Sequence, residues 1–112
     1  MSLFDKKEQL YGPEIVSVGD LDLSVDGGYR NVVTISLDVK PKRKVYARVV
    51  SDFPVDVVVA NDTGMAVGHK GGVRDALLGP FETGKLKSMG MLLGVYPGDK
   101  AKVNLDVWME RE

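Results

Sequence analysis

The sequence of 112 residues has no cysteine. That absence excludes a disulfide framework, thiolate catalysis and the common cysteine-bearing zinc sites. It fits a reducing compartment, and the cytoplasm is the expected location. Charge of one sign is also missing: 15 lysines and arginines oppose 16 acids, for a formal net charge of -1. No global field therefore favours nucleic acid or an anionic membrane. Nowhere do about 18 apolar residues follow one another, as a membrane-spanning helix requires. The N-terminus MSLFDKKEQLYGPEIV lacks the apolar centre of an export signal. The expectation is a protein neither exported by that route nor crossing a membrane. Helical periodicity is absent too, with no convincing amphipathic run above about ten residues.

What is present is an ordinary globular composition, 44% hydrophobic and 28% charged, of a length that suits one domain. Residues 1–112 are read as a single β-sandwich domain, with 1–13 as an N-terminal strap and Phe4 to Tyr11 as a helical turn or part of that strap. Val33, Ile35, Leu37 and Val39 alternate with Thr34, Ser36, Asp38 and Lys40, the pattern of a half-buried strand. Val45 to Ser51 reads as a second strand, joined to the first by a hairpin at Pro41-Lys42-Arg43. Val55 to Ala60 is apolar on both faces apart from Asp56 and reads as a deeper strand with Pro54 at its start. Leu21, Leu23 and Val25 make a short strand before Gly27-Gly28. Lys85 to Tyr96 is expected to be a strand bulged at Gly90. Val103, Leu105, Val107 and Met109 define a last strand after the Pro97-Gly98-Asp99 turn. Together these predict an all-β, antiparallel sandwich of about seven to eight strands.

Several short motifs carry chemical possibilities. Asp62-Thr63-Gly64 follows an apolar run, as the catalytic triplet of an aspartic peptidase does; with only one triplet, a homodimer would have to supply the second carboxylate. The competing reading is a β-turn over Asn61 to Gly64, and the expectation is that the chain is not an enzyme. Gly79 to Leu86 approaches a phosphate-binding loop, yet Leu86 lacks the hydroxyl that would hold magnesium, and a strand rather than a helix follows. Asp20, Asp22 and Asp26 resemble the opening of a calcium loop, but Val25 and Asn31 occupy its glycine and glutamate positions. No cofactor or metal is expected.

Two segments are candidate binding positions. His69, Lys70, Gly71 and Gly72 could form a small anion-binding nest on a loop. Trp108 faces away from Val107 and Met109, so it is either covered by the N-terminal segment with Leu3, Phe4, Leu10 and Tyr11 or exposed as an anchor for a partner. The basic run Lys40-Pro41-Lys42-Arg43-Lys44 could contact phosphates, but reads more simply as a solvated hairpin tip. Nucleic acid is an unlikely partner.

Phe53-Pro54-Val55-Asp56-Val57-Val58-Val59, a polar turn, and then Lys102-Val103-Asn104-Leu105-Asp106-Val107-Trp108 resemble the pattern of Golgi-dynamics (GOLD) domains and their prokaryotic lookalikes, over roughly Val45 to Trp108. The resemblance implies a compact jelly-roll β-sandwich that binds proteins or ligands without catalysis. Secretory members add a signal peptide, a cysteine pair, a coiled coil and a membrane anchor; none is in this sequence, so cargo trafficking is not implied. No family site maps onto particular residues. The reading is an interaction module for a protein partner, another protein or a second copy of this chain, with a small-ligand or anion binder as the alternative and the dimeric peptidase at Asp62 as the remote one.

Overall fold

The computed structural model describes residues 7–19 and 31–111. Six strands lie among them: β1 (Lys7–Val18), β2 (Val32–Asp38), β3 (Arg43–Ala60), β4 (Ala66–Glu82), β5 (Ser88–Gly94) and β6 (Ala101–Arg111). All pairings are antiparallel. The order is β1-β6-β3-β5-β2, with β4 on β3, and the sheet curls into a half-barrel.

The organising element is β3. β4 follows it from Lys44 to Ala60. On its other side, β6 pairs with Arg43 to Ser51 and β5 with Asp56 to Ala60. The sheet thus splits into two wings that share one hairpin: β6 and β1 extend from the first half of β3, β5 and β2 from the second. β1 and β2, the far members of the two wings, come into contact.

Alternation makes one face of this sheet the core. Val45, Ala47 and Val49 are buried in the first half of β3, and Val55, Val57 and Val59 in the second. Because Val49 and Val55 are an even number of residues apart, the same face stays inward across the junction. Met89, Met91 and Leu93 of β5 and Val103, Leu105, Val107 and Met109 of β6 complete that face. The hairpin must bend to close over it. Gly68 and Phe81 would be about 43 Å apart on a straight strand. Yet a Cβ on Gly68 would sit 2.4 Å from the Phe81 ring.

Several expectations need correction. Val45–Ser51 and Val55–Ala60 belong to one strand, and Pro54 lies inside it rather than at its start. The reason is local: neither β4, β5 nor β6 is paired with residues 52 to 54, so a proline without an N-H removes no ladder bond there. β2 is not a hairpin neighbour of β3; it pairs with β5, and residues 39–42 arch between the wings. The register of β5 runs without a break past Gly90, so there is no bulge. The described part of the N-terminal strap, from Lys7, is the strand β1, with irregularities between Gln9 and Glu14. The strand expected at Leu21 to Val25, the aspartates Asp20, Asp22 and Asp26, and Leu3 and Phe4 lie outside the described residues.

The arch is held by Thr83, the one buried polar side chain among the described residues. Its hydroxyl donates to the Lys40 carbonyl (2.7 Å) and accepts from the Arg43 N-H (2.9 Å). Gly84 accepts the Lys42 amide in turn. On the outside, Lys40 pairs with Glu8 at 2.9 Å, and that hydrogen bond holds the Glu8 carboxyl below its usual pKa. Thr83→Val keeps the shape but strands both backbone partners of the hydroxyl. A loss of about 1–3 kcal/mol in unfolding free energy is expected, measured by urea denaturation; an unchanged midpoint would contradict the role assigned to the hydroxyl.

Candidate functional site

The Asp62 triplet forms the turn at the end of the shared hairpin. Asn61 organises it: its side-chain oxygen accepts from the Thr63 amide (3.0 Å), the Thr63 hydroxyl (2.8 Å) and the Met65 amide (3.0 Å). Gly64 takes the positive φ of 84°. This is the side-chain-capped turn that asparagine favours, with Asp62 exposed at its tip. The phosphate-loop lookalike is similarly absorbed. Gly79 to Glu82 close β4, and the Thr83 hydroxyl is engaged with the arch. Among the described residues no cluster of histidine, aspartate and glutamate could hold a metal ion.

The expected loop at His69 to Gly72 is strand instead, inside β4. Its glycines mislead a reader who takes them for a loop tip. His69 is opposite Val58 and Lys70 opposite Val57; consecutive strand residues point to opposite faces, so the two side chains do not converge. The Gly72 amide donates to the Asp56 carboxylate at 3.1 Å. An acid of the chain itself therefore uses the N-H that a nest would offer to an anion.

Trp108 lies on the outer face of the other wing. It stacks on Tyr46 with ring centres 5.8 Å apart and planes 16° from parallel. The Lys7 ammonium sits 4.4 Å from its ring centre, and its indole N-H donates to Glu110 at 3.0 Å. The tryptophan is thus half-buried between the Lys7 side chain of β1 and its cross-strand neighbour Tyr46, with its polar atom satisfied. Covering by Leu3 and Phe4 concerns residues outside those described. Arg48, exposed on β3, pairs with Asp75 at 2.7 Å.

The arrangement that stands out is on the outer face of β2, β5 and the second half of β3. A recess of about 380 Å³ there is lined by Phe53, Asp56, Gly72, Gly94, Tyr96 and Asp99 among others. A second shares Asp56, Gly94 and Tyr96 and adds Val58, His69 and Val32. A third shares Leu92 and continues to Gly90, Asp38 and Asp62. Together they form one trough along β5. Its cause is the outward row of that strand, Ser88, Gly90, Leu92 and Gly94, in which three of four residues are small. Apolar side chains flank it: Tyr96 is 77% exposed, Val32 51% and Phe53 37%. Exposed apolar groups gathered at one concavity are a mark of binding surfaces.

Nothing among the described residues requires Gly90 and Gly94 to be glycine. Neither has a positive φ, and a Cβ on either would meet its nearest atoms only at 3.8 Å, an ordinary contact. Glycine weakens a strand, and where the backbone does not require it, close approach by another molecule is one reason to keep it. Gly79 is the contrast, with φ of 112° and Val45 O at 2.5 Å from a Cβ. Of the candidate site residues singled out in sequence, His69, Gly72 and Asp62 line the trough, with Asn61 and Gly64 of the Asp62 turn; Trp108 belongs to the opposite wing. Comparison of the chain with protein-family models and with curated proteins gives no match.

The glycine argument is checkable by thermal denaturation. Gly90→Ala is expected to leave stability unchanged or raise it by up to about 1 kcal/mol, by restricting the unfolded chain. Gly79→Ala is expected to cost at least ~1–2 kcal/mol from the left-handed backbone alone. Equal losses for both would mean that Gly90 is structural after all.

Proposed function

We propose that this chain is a non-enzymatic interaction module, and that the trough along β5 receives an extended segment of a partner protein. The observation that carries the reading is the pair Gly90 and Gly94, glycines in regular strand where the fold itself would accept a side chain. An extended segment fits the shape, since the trough is long and shallow and follows a strand direction. The apolar flanks Phe53, Val32 and Tyr96 supply the contacts that hold such a segment. The GOLD-like reading, with its jelly-roll sandwich and its expectation of binding without catalysis, agrees with this use of the chain. A cytoplasmic setting is proposed on the cysteine-free composition; no helix among the described residues is long and apolar enough to cross a membrane.

Self-association is the second reading, favoured by the edge of β4. This strand of 17 residues pairs only with β3 among the described residues, and an unpaired edge is a template for another strand. The readings separate experimentally. The double substitution Gly90→Val and Gly94→Val fills the trough while suiting strand geometry. Proteins captured by the unmodified chain from native lysate should drop at least ~tenfold in yield on the filled variant, a loss of about 1.4 kcal/mol in binding, with melting preserved. Capture that is identical on both rejects the trough. Light scattering of the same two proteins reports the edge: a dimer that survives filling supports β4 pairing, and a monomer at all concentrations rejects it.

A further inference from the structure

Resting on the reading of the trough as a docking site, we infer that its partner segment is cationic at both ends: an extended stretch with a lysine or arginine at each end and small or apolar residues between. Four carboxylates line the trough, and they are divided between its ends. Asp56 and Asp99 flank Gly94 and Tyr96, while Asp38 and Asp62 flank Ser88 and Gly90. Among the described residues neither lysine nor arginine lines any of its three recesses, and His69 is the one basic side chain there. The chain as a whole is almost neutral, with 15 basic residues against 16 acidic. The one-signed lining is therefore a local property of this face.

The middle has a different chemistry. Val58 and Leu92 occupy it beside Thr34, with glycine on either side of Leu92 and Val32 next to Gly94. An acid-apolar-acid surface is complementary to a base-apolar-base segment, and charge complementarity of this kind selects partners and speeds encounter. The spacing follows from strand geometry. Ser88 and Gly94 are six residues apart on β5, about 20 Å at the rise of an extended chain. A partner segment of about seven residues spans that length, and its first and last side chains fall on the same face because strand alternation has a period of two. Small residues next to the glycines let its backbone sit close to β5.

Asp56 is the best positioned of the four. The Gly72 amide fixes one of its oxygens, which leaves the second free to accept from a cation. Asp56→Asn retains an oxygen for the Gly72 amide, so the charge can be removed while that hydrogen bond is kept.

The test uses fluorescein-labelled Lys-Ser-Val-Ser-Val-Ser-Lys and its counterpart with glutamate at both ends, titrated by anisotropy against the whole chain. Three proteins are compared: the unmodified chain, the Gly90→Val and Gly94→Val variant, and a variant with Asp38, Asp56, Asp62 and Asp99 each replaced by asparagine. The lysine peptide is expected to bind at least ~tenfold more tightly than the glutamate peptide. The preference should vanish in the asparagine variant, shrink as salt is added, and depend on the open trough. Three results overturn the inference. Binding of both peptides alike, lost on filling, leaves the trough as the site but removes its charge preference. Lysine-peptide binding that survives filling puts the cation elsewhere. No binding of either peptide removes the partner class proposed here, while capture of partners by the unmodified chain and not by the filled variant would still stand for the trough itself.

Discussion

One strand serving two wings is the constraint on which the rest of the molecule depends. β3 pairs with β4 along most of its length and changes its other neighbour from β6 to β5 near Pro54. The even spacing of Val49 and Val55 keeps a single face inward across that change. A shift of one residue at the junction would turn Val55, Val57 and Val59 outward and place Asp56 and Val58 in the core. The same alternation that buries three valines therefore presents Asp56 and Val58 to the trough. Fold and candidate site are two faces of one pattern.

The secondary contacts fall into place around this junction. Bending brings Phe81 over Gly68, where any side chain would force the ring aside. Thr83 fastens the arch that carries the chain from β2, outermost in its wing, to the first residue of β3. Asn61 caps the turn at the far end of the hairpin. The first wing spends its exposed aromatic groups on itself: Tyr46, Trp108 and Lys7 stack together, and Glu110 takes the indole proton. The second wing leaves Tyr96 and Val32 exposed beside a row of small residues.

The all-β class and the inward residues of β2, the first half of β3 and β6 were legible in the sequence because strict alternation is a local signal; β5, expected to bulge at Gly90, and the second half of β3, apolar on both faces, gave no such signal. β4 was not legible either, because Gly68, Gly71, Gly72, Gly79 and Pro80 look like loop punctuation; only its pairing with β3 makes that segment a strand. Pro54 misled for the same reason, since nothing local reveals that β3 has no partner at that point. Which strands are neighbours is a long-range property, and the apparent hairpin at Pro41 to Arg43 proved to be an arch. At the site, the sequence drew the eye to unusual residues such as His69, Trp108 and Asp62. The trough is defined instead by missing side chains at Gly90 and Gly94 and by the ordinary aspartates Asp38, Asp56 and Asp99, and these gain meaning only from their cross-strand neighbours.

The central claim is that the outer face of β5 is where another polypeptide lies. Amide chemical shifts of the isotope-labelled chain, followed as a short cationic peptide is added, address it at single residues. The account predicts progressive shifts of the Gly90, Leu92, Gly94 and Tyr96 amides, while the Trp108 indole resonance stays fixed. Shifts confined to β4 or to the Trp108 face, with the Gly90 and Gly94 amides unmoved, would contradict it.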